Sequence, residues 1–178
     1  MSLRVLSDTD RQSKLADDQS KLLAQLDGVS KKFAGASHNA LEDINLEVFQ
    51  KDFLSIVGPS GCGKTSLLKM MCGLIKPTSG KIDWPTSNFQ NSPENPANLS
   101  YVFQEPNLLP WMNVYENIKL PLKIVKEDTY SADEKIYEII NLVGLQGFEG
   151  YFPKQLSGGM SMRVSIARAL VTQPKVLL

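Results

Sequence analysis

The stretch Gly58-Pro59-Ser60-Gly61-Cys62-Gly63-Lys64-Thr65 has the residue types and the spacing to grip a polyphosphate. It meets every fixed position of the pattern G-x-x-x-x-G-K-[ST]. Glycines let the backbone turn so that successive N–H groups converge on one anion. Lys64 adds a mobile positive charge for the β- and γ-phosphates, and Thr65 offers a hydroxyl to Mg²⁺. A helix beginning at that point presents the favourable end of its dipole, with Ser66 next along it. Gly58 to Ser66 are therefore the expected residues of a nucleoside triphosphate site. A second cluster, Leu156-Ser157-Gly158-Gly159-Met160, has similar means. A Ser-Gly-Gly turn opening a helix leaves backbone N–H groups free beside a hydroxyl. Taken alone, that turn is equally an ordinary helix cap, since Ser is a preferred capping residue.

The elements around these residues have the order that such chemistry needs. Phe53-Leu54-Ser55-Ile56-Val57 is nearly continuous apolar sequence, the pattern of a buried parallel strand running into the loop. Residues 64–73 read as a helix with Leu67, Leu68 and Met71 on one face and Gly73 as its C-terminal cap. Upstream, strand signals lie at residues 22–26 and at the alternating Ile44, Leu46 and Val48. Downstream, residues 85–98 carry three Pro and four Asn and read as a loop or insertion, and a strand resumes at 99–103. Asn113 with Glu116, and Ser131 with Glu134, are spaced as N-terminal helix caps. The second opens a helix through Ile136, Ile139, Ile140 and Val143, closed by Gly144. A last helix follows Gly158-Gly159 to about Val171, Pro174 ends it, and Val176-Leu177-Leu178 begins another buried strand. An α/β core interrupted by a helical insert fits this order.

Composition narrows the class. The chain has 178 residues with 19 Lys+Arg against 19 Asp+Glu, and 42% are hydrophobic. A chain of this size buries roughly 70% of its unfolded surface, enough for one real core. Zero net charge argues against a dedicated nucleic-acid binder, whose footprint is a strongly basic face. Two cysteines, Cys62 and Cys72, are too few for a disulfide framework; Cys72 is expected in the core. Residues 1–20 read as a polar lead-in without the apolar core of a signal peptide. No run of about 18 apolar residues suggests a membrane span. The only histidine, His38, reads as a solvated loop residue.

With both anion-binding turns in view, residues 22–178 resemble the nucleotide-binding subunits of ABC transporters. The phosphate loop is shared with many NTPases, whereas the Leu156-Ser157-Gly158-Gly159 signature is nearly exclusive to this family. The resemblance implies a P-loop NTPase core of the ABC ATPase type, with an antiparallel β subdomain and a helical insert at about 105–165, all within 21–178. It also implies ATP and Mg²⁺ as ligands. Phe33 falls where the family has an aromatic that stacks on adenine. Gln104 falls where it has a glutamine contacting Mg²⁺ and the attacking water, so Gln104 is the implied catalytic residue, and Thr65 and Gln104 are the implied metal contacts. Ser157, Gly158 and Gly159 would close over the ATP of a second subunit in a head-to-tail dimer. The apolar residues Leu108, Leu109, Pro110, Trp111 and Met112 lie where the family docks its transmembrane permease.

Met160 stands where the signature usually ends in Gln. Met occurs there in ATPases resembling the nitrate, sulfonate and taurine importers, which share the run from Phe152 to Met160, although Ser161-Met162-Arg163 departs from the commoner pattern. The family's Mg²⁺-holding Asp, its catalytic Glu and its switch His would follow Leu178, so the domain is expected to be incomplete at its C-terminus. The 178 residues alone are expected to be inactive. The implied role is an importer ATPase on the cytoplasmic face of a bacterial inner membrane, serving permease subunits and, indirectly, a solute-binding protein, without nucleic acid. The alternatives are a soluble ABC ATPase acting on DNA or ribosomes, or a remnant that does not hydrolyse ATP.

Overall fold

The computed structural model describes residues 4–7, 22–84, 99–126 and 129–178. The loop expected at 85–98 lies outside them. The chain divides into two compact units, Met1–Ser92 and Pro93–Leu178.

In the first unit, β2 (Leu22–Lys31) is the centre of an antiparallel sheet, flanked by β3 (Leu41–Phe49) and β5 (Ser79–Asp83). Leu26 pairs with Leu46 on one side and with Ile82 on the other, so three aliphatic side chains meet in one row. Along β3 the alternation expected of a half-covered sheet holds: Leu46 and Val48 are buried while Asn45 and Glu47 face outward. The β2 strand runs to Lys31, beyond the 22–26 signal, because bulges between Leu26 and Lys31 break its period without ending the pairing.

The strand that feeds the phosphate loop differs from expectation. β4 (Leu54–Val57) pairs antiparallel with β1 (Arg4–Ser7), so a strand lies within the stretch read as a polar lead-in. β4 is not buried on both faces: Leu54 and Ile56 are half-buried, and Phe53 before it is 72% exposed. An apolar run marks a buried strand only when both faces are covered, and in this unit they are not.

After the loop comes α1 (Lys64–Met71), which buries Leu67, Met70 and Met71; Met70, rather than Leu68, completes its inner face. The Gly73 N–H bonds Met70 O at 3.0 Å and the Leu74 N–H bonds Lys69 O at 2.9 Å, the paired closure of a glycine-capped helix. Cys72 is half-buried rather than core, and burial raises its thiol pKa above the ordinary value.

The second unit is built on helices α2 (Val114–Ile124), α3 (Thr129–Leu142) and α4 (Gly158–Leu170). Val114, Ile118 and Leu122 from α2 meet Ala132, Ile136 and Ile140 from α3, each set spaced by four residues so that it forms one stripe. Val164 and Ala167 from α4, with Val171 just after it, close this core. α2 starts with the expected capping box: Asn113 Oδ1 accepts from the Glu116 N–H at 2.8 Å, and Glu116 accepts from the Asn113 N–H at 2.9 Å. α3 starts at Thr129, so Ser131 falls inside the helix instead of capping it. Beside the helices, β6 (Leu99–Ser100) pairs parallel with β7 (Val176–Leu177). The strand expected over 99–103 is thus a two-residue ladder, prolonged by one further bond from the Val102 N–H to Leu178 O at 2.8 Å. Val176 is buried and Leu177 exposed, so β7 is covered on one face.

Candidate nucleotide site

Residues 58–63 carry the chain from β4 to α1 as a glycine-rich turn. Gly63 caps α1 in the left-handed region at φ 99°, and no side chain caps the first turn. The first N–H taken up inside the helix is that of Leu67, which bonds Gly63 O at 2.9 Å. The preceding N–H groups therefore point out of the helix end, the arrangement that attracts an anion. Gly63 is also required by close packing. A Cβ there would lie 2.6 Å from Ala40 O and 2.7 Å from Leu41 Cδ2, so the turn presses on the start of β3.

The Lys64 ammonium spans the same turn. Its Nζ donates to Gly58 O and to Pro59 O, both at 2.7 Å, and lies 3.6 Å from the half-buried Cys62 Sγ. The cation thus rests on the loop's own carbonyls, which a phosphate oxygen can replace as its partner. Gly58, Pro59, Ser60 and Gly61 are exposed, as is Thr65, while Ser66 is half-buried. The residues fit a nucleoside triphosphate: uncapped N–H groups, a cation bonded across the turn and an exposed hydroxyl. They fit Mg²⁺ in its usual manner as well. That ion keeps several waters and binds through phosphate oxygens, so the single Thr65 hydroxyl is an adequate protein contact.

Phe33 stands in the same unit, on the turn after β2. It is 44% exposed, so it is not a core residue, and the Lys31 ammonium lies 5.3 Å from its ring centroid. His38 is exposed on the loop that follows.

The remaining expected residues belong to the second unit. Gln104 is exposed on a bend after the β6 segment. Ser157 caps α4 with its own side chain: Oγ accepts from the Met160 N–H at 3.2 Å. Gly158 and Gly159 follow, both exposed. The structure therefore gathers Phe33 and residues 58–66 in one unit, and Gln104 with Ser157, Gly158 and Gly159 in the other.

Three supporting residues carry no motif, and sequence reasoning missed them. Arg163 donates to Val143 O at 3.0 Å and Gly144 O at 2.8 Å, tying α4 to the end of α3. Arg168 donates to Pro106 O and Asn107 O, each at 2.9 Å, and burial lowers its pKa from the ordinary value. Asn117 is fully buried in α2. Its amide donates to Met112 O at 2.9 Å and Leu109 O at 3.2 Å, while Oδ1 accepts from the Leu109 N–H at 2.8 Å. The legible signal was an Asn on the otherwise apolar stripe of Val114, Ile118 and Leu122. Between the residues held by Arg168 and Asn117, Trp111 is 69% exposed, whereas Leu108 packs on the helical core.

A phosphate loop on a strand–turn–helix unit, a β subdomain and a Ser-Gly-Gly helix start define an α/β fold of the P-loop NTPase type. The family model described as ABC transporter matches residues 41–178, and the chain belongs to that family. It is 45% identical over 150 residues to the spermidine/putrescine import ATP-binding protein PotA of Fusobacterium nucleatum, covering 84% of this chain and 39% of that protein. It is 39% identical over 163 residues to an uncharacterised ABC transporter ATP-binding protein of Methanocaldococcus jannaschii, covering 90% of this chain and 60% of the relative. Among solved structures, it is similar to the dimeric ATP-binding cassette MJ0796 bound to ADP and Pi, at 31% identity and TM-score 0.74, over 87% of this chain and 72% of that one. The chain thus spans about two fifths to three fifths of the length of these curated relatives.

Proposed function

We propose that this chain is the ATP-binding part of an ATPase that powers an ABC-type membrane importer, with residues 21–178 forming its ATPase domain. The observation that carries the reading is the phosphate loop itself, an uncapped helix start under a lysine ammonium, in a member of this family. Phosphoryl transfer asks a protein for positioning and charge stabilisation more than for covalent help. Lys64 leaves the Gly58 and Pro59 carbonyls to meet the β- and γ-phosphates, while the N–H groups of the turn hold the remaining oxygens. Thr65 and Gln104 are the residues that would hold Mg²⁺, which when bound neutralises the charge between those phosphates. Phe33 stacks on the base, and Gln104 orients the attacking water. Ser157, Gly158 and Gly159 face the nucleotide of a second copy, so two subunits enclose the ATP head-to-tail.

The dimeric MJ0796 structure supports that pairing. The importer named among the relatives supports transport over work on DNA or ribosomes. We place the protein at the cytoplasmic face of the membrane, beside permease subunits that a solute-binding protein supplies. The run from Phe152 to Met160 favours a nitrate, sulfonate or taurine importer. The polyamine importer at 45% identity weighs against reading the solute from that run. The reading adopted is import of a small solute chosen by other subunits.

Titration with a fluorescent ATP analogue tests the site. Lys64→Ala removes a charge-assisted contact and should weaken binding roughly 10- to 100-fold with an unchanged unfolding midpoint. Equal affinity in variant and parent overturns the assignment.

A further inference from the structure

Phe33 sits in a frame that reaches both ends of the phosphate-binding element. Its neighbour Lys31 ends β2 and turns its ammonium toward the Phe33 ring, 5.3 Å from the centroid. That ammonium is itself anchored, because Nζ donates to Lys76 O at 2.6 Å, on the segment that leaves α1. The Lys32 N–H donates to Thr78 Oγ1 at 3.0 Å and the Thr78 N–H to Ser30 O at 2.8 Å, so the end of β2 is stapled to residues 76–78. On the far side of the loop, the Ala40 N–H donates to Lys31 O at 2.7 Å, and Ala40 and Leu41 are the residues against which Gly63 packs. The backbone on either side of the aromatic is thereby tied to the chain after α1 and, through Ala40, to the residues that pack on the cap before it.

We propose that Lys31 is a positioning residue of the base site, its anchored ammonium bracing the Phe33 ring so that a purine can stack on its open surface. This rests on the reading of Phe33 as the base-stacking residue. A cation over an aromatic face is held by the ring quadrupole. An exposed phenyl ring otherwise samples several rotamers, and each ordering step on binding costs affinity. Lys31 removes that cost in advance. Its ammonium faces the ring and the Lys76 carbonyl, so its effect belongs to the base and not to the phosphates, which have Lys64.

The test is calorimetric titration of the full chain with two probes, ATP and inorganic tripolyphosphate, for Lys31→Met, Lys31→Arg, Phe33→Ala and the Lys31→Met/Phe33→Ala double variant. Lys31→Met should weaken ATP about 2- to 5-fold, the size of an exposed cation–π contact, and leave tripolyphosphate unchanged. Lys31→Arg, which also places a cation over a ring, should restore ATP binding to within about twofold. In the Phe33→Ala background the Lys31 effect should vanish, because coupled residues are not additive. Lys31→Gln replaces Lys31→Met if that variant does not fold. The proposal is overturned if Lys31→Met leaves ATP binding unchanged, if it weakens tripolyphosphate equally, or if its effect persists without Phe33. Loss of ATP affinity in Phe33→Ala with no effect of Lys31→Met sinks this inference alone. No effect of Phe33→Ala itself sinks the base-site reading beneath it.

Discussion

At Gly63 a single hydrogen atom decides whether the phosphate loop can close. The residue combines φ 99° with a methyl-sized gap already filled by Ala40 O and Leu41. Gly61, at φ 79°, has no atom within 4 Å of the same position. Gly63→Ala should therefore cost more than the roughly 1–3 kcal/mol of backbone strain alone, and Gly61→Ala no more than that strain. Urea denaturation of the two variants measures the difference; equal costs would show that packing on β3 is not what fixes the turn. On the other unit, Asp133 accepts from Lys119 Nζ at 2.8 Å and from the Tyr115 hydroxyl. Lys119 first, then Tyr115, hold the Asp133 pKa below its ordinary value, while Asp133 first, then Tyr115, raise that of Lys119. The carboxylate's contribution is complete above its ordinary pKa of 3.8 and is lost as pH falls through the lower folded value. The lysine's is complete below its ordinary 10.5 and is lost as pH rises through the raised one. Asp133→Asn should lower stability slightly around neutral pH, where the contribution is complete, and so flatten both limbs of a stability–pH profile; the loss is small because the carboxylate is exposed. A variant whose profile keeps both limbs would assign them to other groups.

Between elements, the segment 106–112 is held from two helices. Arg168 on α4 takes its first two carbonyls, and Asn117 on α2 takes Leu109 and Met112. Asn117→Ala strands these groups in a buried place and should destabilise by about 1–3 kcal/mol. Arg168→Lys keeps the charge but loses the two-pronged reach across neighbouring carbonyls. Amide hydrogen exchange reads the consequence locally. The Leu109 amide, bonded to Asn117, should lose protection in both variants, while amides of α3 keep theirs. Uniform loss through the unit would mean that these side chains support the core in general instead of placing the segment that carries Trp111.

For the molecule as a whole, charge separates the two functional classes. With 19 cationic and 19 anionic side chains the protein lacks the surplus that drives phosphate-backbone binding. Fluorescence anisotropy with duplex DNA at physiological salt should show no association. Binding with a steep salt slope would favour the DNA-directed alternative over the importer. Among the described residues no helix is long and apolar enough to cross a membrane.

Local chemistry was legible in the residues themselves. The phosphate loop, the Asn113–Glu116 capping box and the glycine closures at Gly73 and Gly144 each depend on bonds spanning three to six residues. Residue type and spacing are then sufficient, because the partners are adjacent whatever the rest of the chain does. Ser131 shows the limit: its spacing was right, yet α3 extends past it to Thr129. What tertiary structure decided involves partners far apart. β4 looked buried and parallel, but its neighbour is the antiparallel Arg4–Ser7, and no pattern within Leu54–Val57 names a neighbour. The brace of Lys31 on Lys76 spans 45 residues, and those of Arg168 on Asn107 and Pro106 span 61 and 62. A lysine or arginine has several donors and a long flexible stem, so its carbonyl partner is chosen only when folding brings one within reach.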